Sequence, residues 1–406
     1  MESEYSKLTI EITKKLSKKE KKDNGIFITP RTIIKKLFER IKSECPQDIT
    51  RILEPSAGTC EIALAASEAY PAASIDAIEY NDVIFAATSE TINPEKMNYV
   101  KADFTRWTPE VGKKYDLIVG NPPYVVCGKE DVPAQYKDYV TGRPNLFCTF
   151  MLHSISMLAP GGVLAFIIPT SFLNAAYYSK TRNYMKSVGT ILDIINFTKD
   201  NKFIETQQAT IGLIYRLHLS SLPSLPIVPT TECKFSMKVG DNYVFTENAD
   251  DIKEILCGST TLKALGIQVK TGTVVWNEHK DILTDDATKT LLIYNSNVAK
   301  TNSVEILQFN NDEKKQYIMM DGSAGPCIVV NRGNGNSAYQ LTYAYVDGKR
   351  PYLVENHLNM ILCKTETMAK KILVSFANEK TVKFVSTFLG NNGLSKTELE
   401  TIFPIY

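Results

Sequence analysis

Four short strand-like runs near the start of this 406-residue chain each break off at residues that a strand does not need. Arg51-Ile52-Leu53 leads into a turn of small residues, Glu54-Pro55-Ser56-Ala57-Gly58-Thr59-Cys60, and then a helical stretch from Glu61 to Ala69. Ser74 to Ile78 ends at Glu79, and Asn98 to Lys101 is followed by Asp103-Phe104. Tyr115 to Gly120 runs into Asn121-Pro122-Pro123-Tyr124. An open α/β sheet binds ligands in the crevice outside the carboxyl ends of its strands, and small-residue turns let backbone N–H groups approach a ligand there. One such turn is a weak signal. Four in succession predict an α/β fold with a single ligand crevice.

The fourth run carries the most chemistry. An aromatic amine is a poor nucleophile because its lone pair is delocalised into the ring, and two fixed carbonyl acceptors can draw it toward sp3 geometry. The Asn121 side-chain oxygen offers one acceptor and the Pro122 main-chain carbonyl the other. Consecutive prolines fix φ and remove backbone donors, so no neighbouring N–H competes for that carbonyl. Tyr124 adds a flat face for a base. The plain alternative is a turn after a strand, since Asn-Pro commonly opens turns. Glu79 is placed to accept from ribose hydroxyls, and Asp103 with Phe104 to bind a purine amino group and cover its face.

Together EPSAG, IEY, ADF and NPPY resemble the S-adenosylmethionine-dependent DNA adenine-N6 methyltransferases. With the cofactor motif ahead of the catalytic one, the order is similar to the gamma-type group, the Taq I and Eco57I modification enzymes. Gly25-Ile26-Phe27-Ile28-Thr29-Pro30 resembles that family's N-terminal cofactor motif, and Asn145-Leu146-Phe147 the opening of the helix before its fifth strand, Val163 to Ile168. Lys202-Phe203 with Gln208 to Ile211 is similar to the segment whose aromatic stacks on the far face of the target base. Gly266-Ile267 and Thr271-Gly272 match the start of the target-recognition domain. The resemblance implies a Rossmann-like domain with a mixed, mostly parallel sheet, followed by a smaller α+β domain. It implies cofactor contacts from Thr29, Pro30, Glu54, Pro55, Ser56, Ala57, Gly58, Glu79, Asp103, Phe104, Asn121 and Pro123. Catalytic roles fall to Asn121, Pro122, Pro123, Tyr124 and Phe203. Cys60 departs from the family, which usually has a further glycine there, and this puts cofactor affinity in doubt.

Organisation follows from composition. Residues 1–24 read as a basic helical lead-in, 25–220 as the catalytic domain, 221–250 as a linker region opening on a Ser/Pro-rich stretch, and 251–406 as the target-recognition domain. Strand-like runs there include Thr273 to Trp276, Leu291 to Tyr294, Cys327 to Val330 and Tyr352 to Val354, with a helix from Met368 to Ala377. The loop Asn331 to Asn336, NRGNGN, is either a surface turn or a reader of base edges. Pro326-Cys327 and Glu355-Asn356 imitate the Pro-Cys and Glu-Asn pairs of cytosine-C5 methyltransferases, but an amine needs no thiolate to activate it.

Net charge is only +1, yet residues 14–42 hold eleven Lys and Arg against Glu20, Asp23 and Glu39. That segment is expected either to lie along phosphates or to form a solvated helical face, with DNA held in a locally positive cleft between domains. Hydrophobic content of 44% and charged content of 22% suit a soluble globular protein. No apolar run approaches the roughly 20 residues that span a bilayer, and no signal-peptide core opens the chain. The expectation is a cytoplasmic protein, or one held wherever host or viral DNA lies, and not a secreted or membrane one. Eight scattered cysteines without a Cys-x-x-Cys pair read as reduced thiols, and no metal site is expected.

The expected reaction is methyl transfer from S-adenosylmethionine to the N6 amine of a flipped adenine in double-stranded DNA, by a monomer. Too few residues precede the cofactor motif for a fused nuclease, so a cognate restriction endonuclease would be a separate chain. The alternative is an RNA (guanine-N2 or adenine-N6) or protein glutamine-N methyltransferase using the same NPPY chemistry.

Overall fold

The computed structural model describes residues 4–45, 48–93, 95–197, 209–219, 234–239, 242–298, 302–333, 339–389 and 393–406. The chain forms two compact units, Met1–Leu173 with Tyr177–Glu247, and Asn174–Ala176 with Asn248–Tyr406.

In the first unit the elements run α1 (Lys7–Lys15), α2 (Lys18–Asn24), α3 (Arg31–Glu44), β1 (Arg51–Glu54), α4 (Glu61–Ala69), β2 (Ser74–Glu79), α5 (Asp82–Ser89), β3 (Asn98–Lys101) and β4 (Tyr115–Gly120). They continue through α6 (Leu146–Met157), β5 (Leu158–Pro169), α7 (Ser179–Val188), β6 (Gly189–Asn196) and β7 (Thr210–Leu217) to the antiparallel pair β8 (Ser236–Val239) and β9 (Asn242–Phe245). Seven strands make one sheet in the order β3-β2-β1-β4-β5-β7-β6. The first five are parallel, and β7 runs antiparallel to both β5 and β6. This is the expected Rossmann-like, mostly parallel methyltransferase sheet. The order reverses between β1 and β4, which opens a crevice at their carboxyl ends.

The sequence forms this sheet because β4 and β5 are nearly continuous apolar runs, as strands covered on both faces must be. One face packs against α3, which buries Ile33, Ile34, Leu37, Phe38 and Ile41 among Ile52, Leu117, Val119 and Ala165. Each such side chain contributes about 1.5–3 kcal/mol of gross burial energy. α6 buries ten of its twelve residues, and its N-cap is Asn145, whose side chain accepts from the Phe147 N–H.

The second unit contains α8 (Ala249–Leu256), β10 (Val269–Thr271), β11 (Leu283–Thr284), β12 (Thr290–Ile293), β13 (Tyr317–Ile318), β14 (Cys327–Asn331), β15 (Tyr343–Val346), β16 (Tyr352–Val354) and β17 (Leu358–Leu362). α9 (Glu366–Phe376), α10 (Glu379–Phe384) and α11 (Lys396–Thr401) follow. Its sheets are β10-β17-β14-β15 and β11-β13-β12-β16. The strand expected over Thr273 to Trp276 is absent. Val274 makes only an isolated bridge to Glu355, and Trp276–Glu278 forms a 3-10 turn. Gly272 lies against the Glu355 carbonyl with no room for a Cβ, and pairing stops after the single bridge because the chain coils at Trp276. No helix among the described residues is long and apolar enough to cross a membrane.

Candidate active site

The turn 54–60 and the loop 121–125 leave β1 and β4 at the reversal of strand order, and a cleft of about 390 Å³ lies beside them. Pro55, Ser56, Gly58, Glu79, Asp103, Phe104, Asn121 and Pro123 all line it. A smaller cavity of about 70 Å³ shares Ser56, Gly58 and Asn121 and adds Thr29, Glu54 and Ala57. The four strand ends thus meet in one place. Pro30 is the N-cap of α3, and neither it nor Pro122 or Tyr124 lines either space. Phe203 lies outside the described residues.

The geometry around Asn121 is tightly set. Its side-chain Nδ2 donates to the Phe27 carbonyl at 3.2 Å and to Thr29 Oγ1 at 3.1 Å. A backbone carbonyl can only accept, so Phe27 requires the NH2 group on its side, fixes which way the amide points and turns Oδ1 the other way, with the Thr29 hydroxyl as a second partner. Oδ1 accepts from the Tyr124 hydroxyl at 2.6 Å, and that hydroxyl also reaches the Ile167 carbonyl at 3.0 Å. The Asn121 carbonyl accepts from Ser56 Oγ at 3.1 Å, tying this loop to the turn after β1. The Pro122 carbonyl takes no hydrogen bond from the described residues. Gly25, at φ +61°, sits so close to Val125 and Pro123 that a Cβ would fall 2.6 Å and 3.0 Å from their side chains. Residues 25–29 are thus packed directly on the loop they orient.

Tyr124 is not an open platform. Its ring stacks on Phe27 with centroids 5.4 Å apart, and Phe147 meets it edge-on. The ring is half-buried, and its hydroxyl turns inward to the partners that a phenol removed from water needs, Asn121 and Ile167. Burial also pushes its pKa well up, so it stays a donor.

The carboxylates differ from one another. Glu79 accepts from the Gly58 N–H at 2.7 Å and the Asn81 N–H at 2.6 Å, one on each oxygen. Burial raises its pKa in spite of these bonds. Each oxygen keeps a lone pair for a further donor. Asp103 caps the Thr105 N–H and hydroxyl at 3.0 and 2.8 Å, and lies 3.8 Å from Arg106. Glu54 is 1% exposed, and its Oε2 has no partner among the described residues. Burial, with Glu79 and Glu61 nearby, holds its carboxyl well above the usual range, against a hydrogen bond from the Ala63 backbone. Phe104 is buried against Phe150 and His153, and His153 bridges the Tyr136 hydroxyl and the Trp107 carbonyl. Cys60 is left-handed at φ 60°, buried in the core under α4, and lines neither space, so the family's missing glycine is felt by the backbone.

α1 falls within the helical lead-in expected over residues 1–24, but motif reasoning missed its contact with the turn after β1. Thr9 is buried, and its hydroxyl contacts Thr59 Oγ1 and Glu61 Oε1, both at 2.7 Å. Phe27 stands in the recognised Gly25 to Pro30 motif, but its stacking on Tyr124 was not foreseen. The basic segment is mixed: Arg31 and Arg40 face Glu61 at 3.7 Å and Asp193 at 2.6 Å, and Lys14, Lys15, Lys35, Lys36 and Lys42 are exposed. Of the loop Asn331 to Asn336, Asn331 is buried on Tyr339 and Thr342, Arg332 donates to the Asn356 carbonyl, and residues 334–336 lie outside the described residues. No group of three metal-ligating side chains occurs among the described residues.

Comparison with known proteins agrees with the motifs. Residues 62–203 match the Eco57I restriction-modification methylase family. The chain is 26% identical to the modification methylase CviBIII of Paramecium bursaria Chlorella virus NC1A, across 99% of each chain. It is 27% identical to the type II methyltransferase M.CvrRI of Paramecium bursaria Chlorella virus XZ-6E, across 98% of each. Among solved structures, a class I S-adenosylmethionine-dependent methyltransferase from Listeria monocytogenes aligns over 51% of this chain and 64% of its own, at 16% identity and a TM-score of 0.41. The resemblance to the Eco57I modification methyltransferases holds.

Proposed function

We propose that this chain, a methyltransferase of the restriction-modification type, transfers a methyl group from S-adenosylmethionine to the N6 amine of an adenine in double-stranded DNA. The observation that carries the reading is the locked amide of Asn121. Phe27 and Thr29 hold its NH2 end, so its oxygen and the Pro122 carbonyl, which has no partner among the described residues, stand as two fixed acceptors at the end of β4. An amine donating to both is drawn away from conjugation with its ring, which exposes the lone pair for attack. Asn121 Oδ1 has a second lone pair for this donor, and the Tyr124 proton can turn wholly to the Ile167 carbonyl. The released proton leaves to water, and the described site holds no evident general base.

The cleft also fits the cofactor. Gly58 has no atom within 4 Å of where a Cβ would sit, so the turn after β1 is open toward a ligand. Glu79 keeps lone pairs for ribose hydroxyls, Asp103 for a purine amino group, and buried Glu54 has an oxygen with no partner among the described residues. When bound, S-adenosylmethionine supplies an electrophilic methyl group on a sulfonium. Thr29, Pro55, Ser56, Ala57 and Pro123 complete its surroundings, and holding both reactants near attack geometry supplies the main rate term.

The target must leave the base stack, at a cost of a few kcal/mol. Stacking on Tyr124 offsets part of this at about 1–3 kcal/mol. It uses the face opposite Phe27, or displaces Phe27. Phe203 is assigned the other side of the base. Residues 251–406 are assigned to sequence recognition, because the pocket for one base leaves no surface for reading its neighbours. Methylation-sensitive long-read sequencing of DNA from cells expressing the protein tests this. N6-methyladenine at one recurring sequence is expected, and a chimera carrying residues 251–406 of a relative should shift that sequence. Unmodified DNA together with methylated RNA or protein would overturn the reading.

A further inference from the structure

Residues 251–406 are assigned above to sequence recognition, and a base edge is read by side chains held in place with a hydrogen-bonding face left over. Arginine is the commonest reader, because its planar fork matches the O6 and N7 acceptors of guanine. This stretch of the chain holds only two arginines, Arg332 and Arg350. Arg350 is already committed. Its Nη2 donates to the Ala287 and Lys289 carbonyls, and its guanidinium lies 4.6 Å over the Tyr317 ring.

Arg332 stands differently. It is the first residue past β14, which is paired on both sides, by β15 and β17. Its N–H donates to the His357 carbonyl at 3.2 Å, and its carbonyl accepts from the Leu394 N–H at 2.8 Å. Gly393 lies so close to that carbonyl that there is no room for a Cβ. Just before it, the buried Asn331 side chain accepts from the Thr342 N–H and the Tyr339 hydroxyl, both at 2.9 Å, and donates to the Gln340 carbonyl. Three separate segments therefore fix the backbone of one exposed residue.

The side chain is held as well. Nη1 donates to the Asn356 carbonyl at 2.8 Å, which sets the plane of the guanidinium. The other edge, Nε with Nη2, has no partner among the described residues. A loose surface arginine loses rotamer freedom on binding, and one already oriented loses less. A point charge is enough to neutralise a phosphate, whereas a fixed planar fork selects paired acceptors.

We infer that Arg332 reads a guanine of the recognition sequence, its Nε and Nη2 donating to O6 and N7 in the major groove. This rests on the DNA reading given above, and it makes one guanine a required base.

The test uses the full chain and a duplex carrying the methylated sequence that sequencing identifies, with 7-deazaguanine replacing one guanine at a time. That base keeps its pairing and lacks the N7 acceptor. At one guanine the wild type should lose about tenfold or more in methylation rate. Arg332→Ala should lose about ten- to a hundredfold on the unmodified duplex, accept other bases at that position, and treat guanine and 7-deazaguanine there alike. Arg332→Lys keeps the charge without the fork and should be equally blind to the change. A recognition sequence without guanine on either strand overturns the inference, as does a wild type indifferent to 7-deazaguanine at every position. An Arg332→Ala protein with unchanged rate and sequence also overturns it. So does one weakened equally on all sequences with its salt slope reduced by about one, the mark of a phosphate contact. A wild type that methylates RNA or protein and no DNA fails the functional reading itself, and this inference with it.

Discussion

Asn121 and Cys327 each neighbour a proline in a short sequence that looks chemical, and the fold treats them in opposite ways. Asn121 ends β4 where the sheet order reverses, half-buried on the wall of a cleft, with its amide turned by Phe27 and Thr29. Cys327 opens β14 wholly buried beside Val329 and Val354, and burial pushes its thiol up to about 12. Its apparent partner Glu355 is buried too, holding the Asn295 N–H and His357. A nucleophilic thiol needs the reverse, a lowered pKa and access. The two sites teach that a motif carries chemistry only where the backbone leaves its polar atoms both oriented and reachable.

The sharpest way to break this contrast is Asn121→Ala. Methyl transfer should fall about 10²–10³-fold or more, the scale seen when one preorganised polar contact is removed. Calorimetric affinity for S-adenosylhomocysteine should stay close to wild type. Smaller effects belong to the cleft's carboxylates. Asp103→Ala and Glu79→Ala should each weaken cofactor binding by about 0.5–1.5 kcal/mol per hydrogen bond lost. Unchanged affinity in both would move the cofactor elsewhere. Thr29→Val removes one of the two acceptors that hold the Asn121 amide. A drop of about threefold in kcat, larger than its effect on cofactor affinity, is expected from one shared hydrogen bond. At the far end, Cys327→Ala should leave the rate within about twofold of wild type, since a buried, protonated thiol takes no part.

The strands were the most legible part of the sequence. β3 and β4 fall where they were expected, and β2 ends on Glu79 itself; β4 was the plainest, because a strand buried on both faces leaves a nearly unbroken apolar run. The convergence of Glu54, Glu79, Asp103 and Asn121 was legible for the same reason, since each closes or follows a strand of one sheet. What could not be read was contact across the chain, such as Phe27 on the Tyr124 ring. The helix α1 was expected, but its packing on the turn after β1 was hidden by its lysines, which suggest a phosphate-binding or solvated face. Yet Thr9, Ile12, Thr13 and Leu16 recur at helical spacing, and that stripe is the signal that finds it. Thr273 to Trp276 failed because an apolar run alone does not say whether a neighbouring strand lies in register.

The central claim is that the fixed acceptors at Asn121 and Pro122 act on an adenine amine. Its most direct test is mass spectrometry of nucleosides from duplex DNA incubated with the purified chain and S-adenosylmethionine. The account predicts N6-methyladenine as the methylated product, lost with Asn121→Ala. Methylation confined to cytosine, or N6-methyladenine formed undiminished by Asn121→Ala, would contradict it.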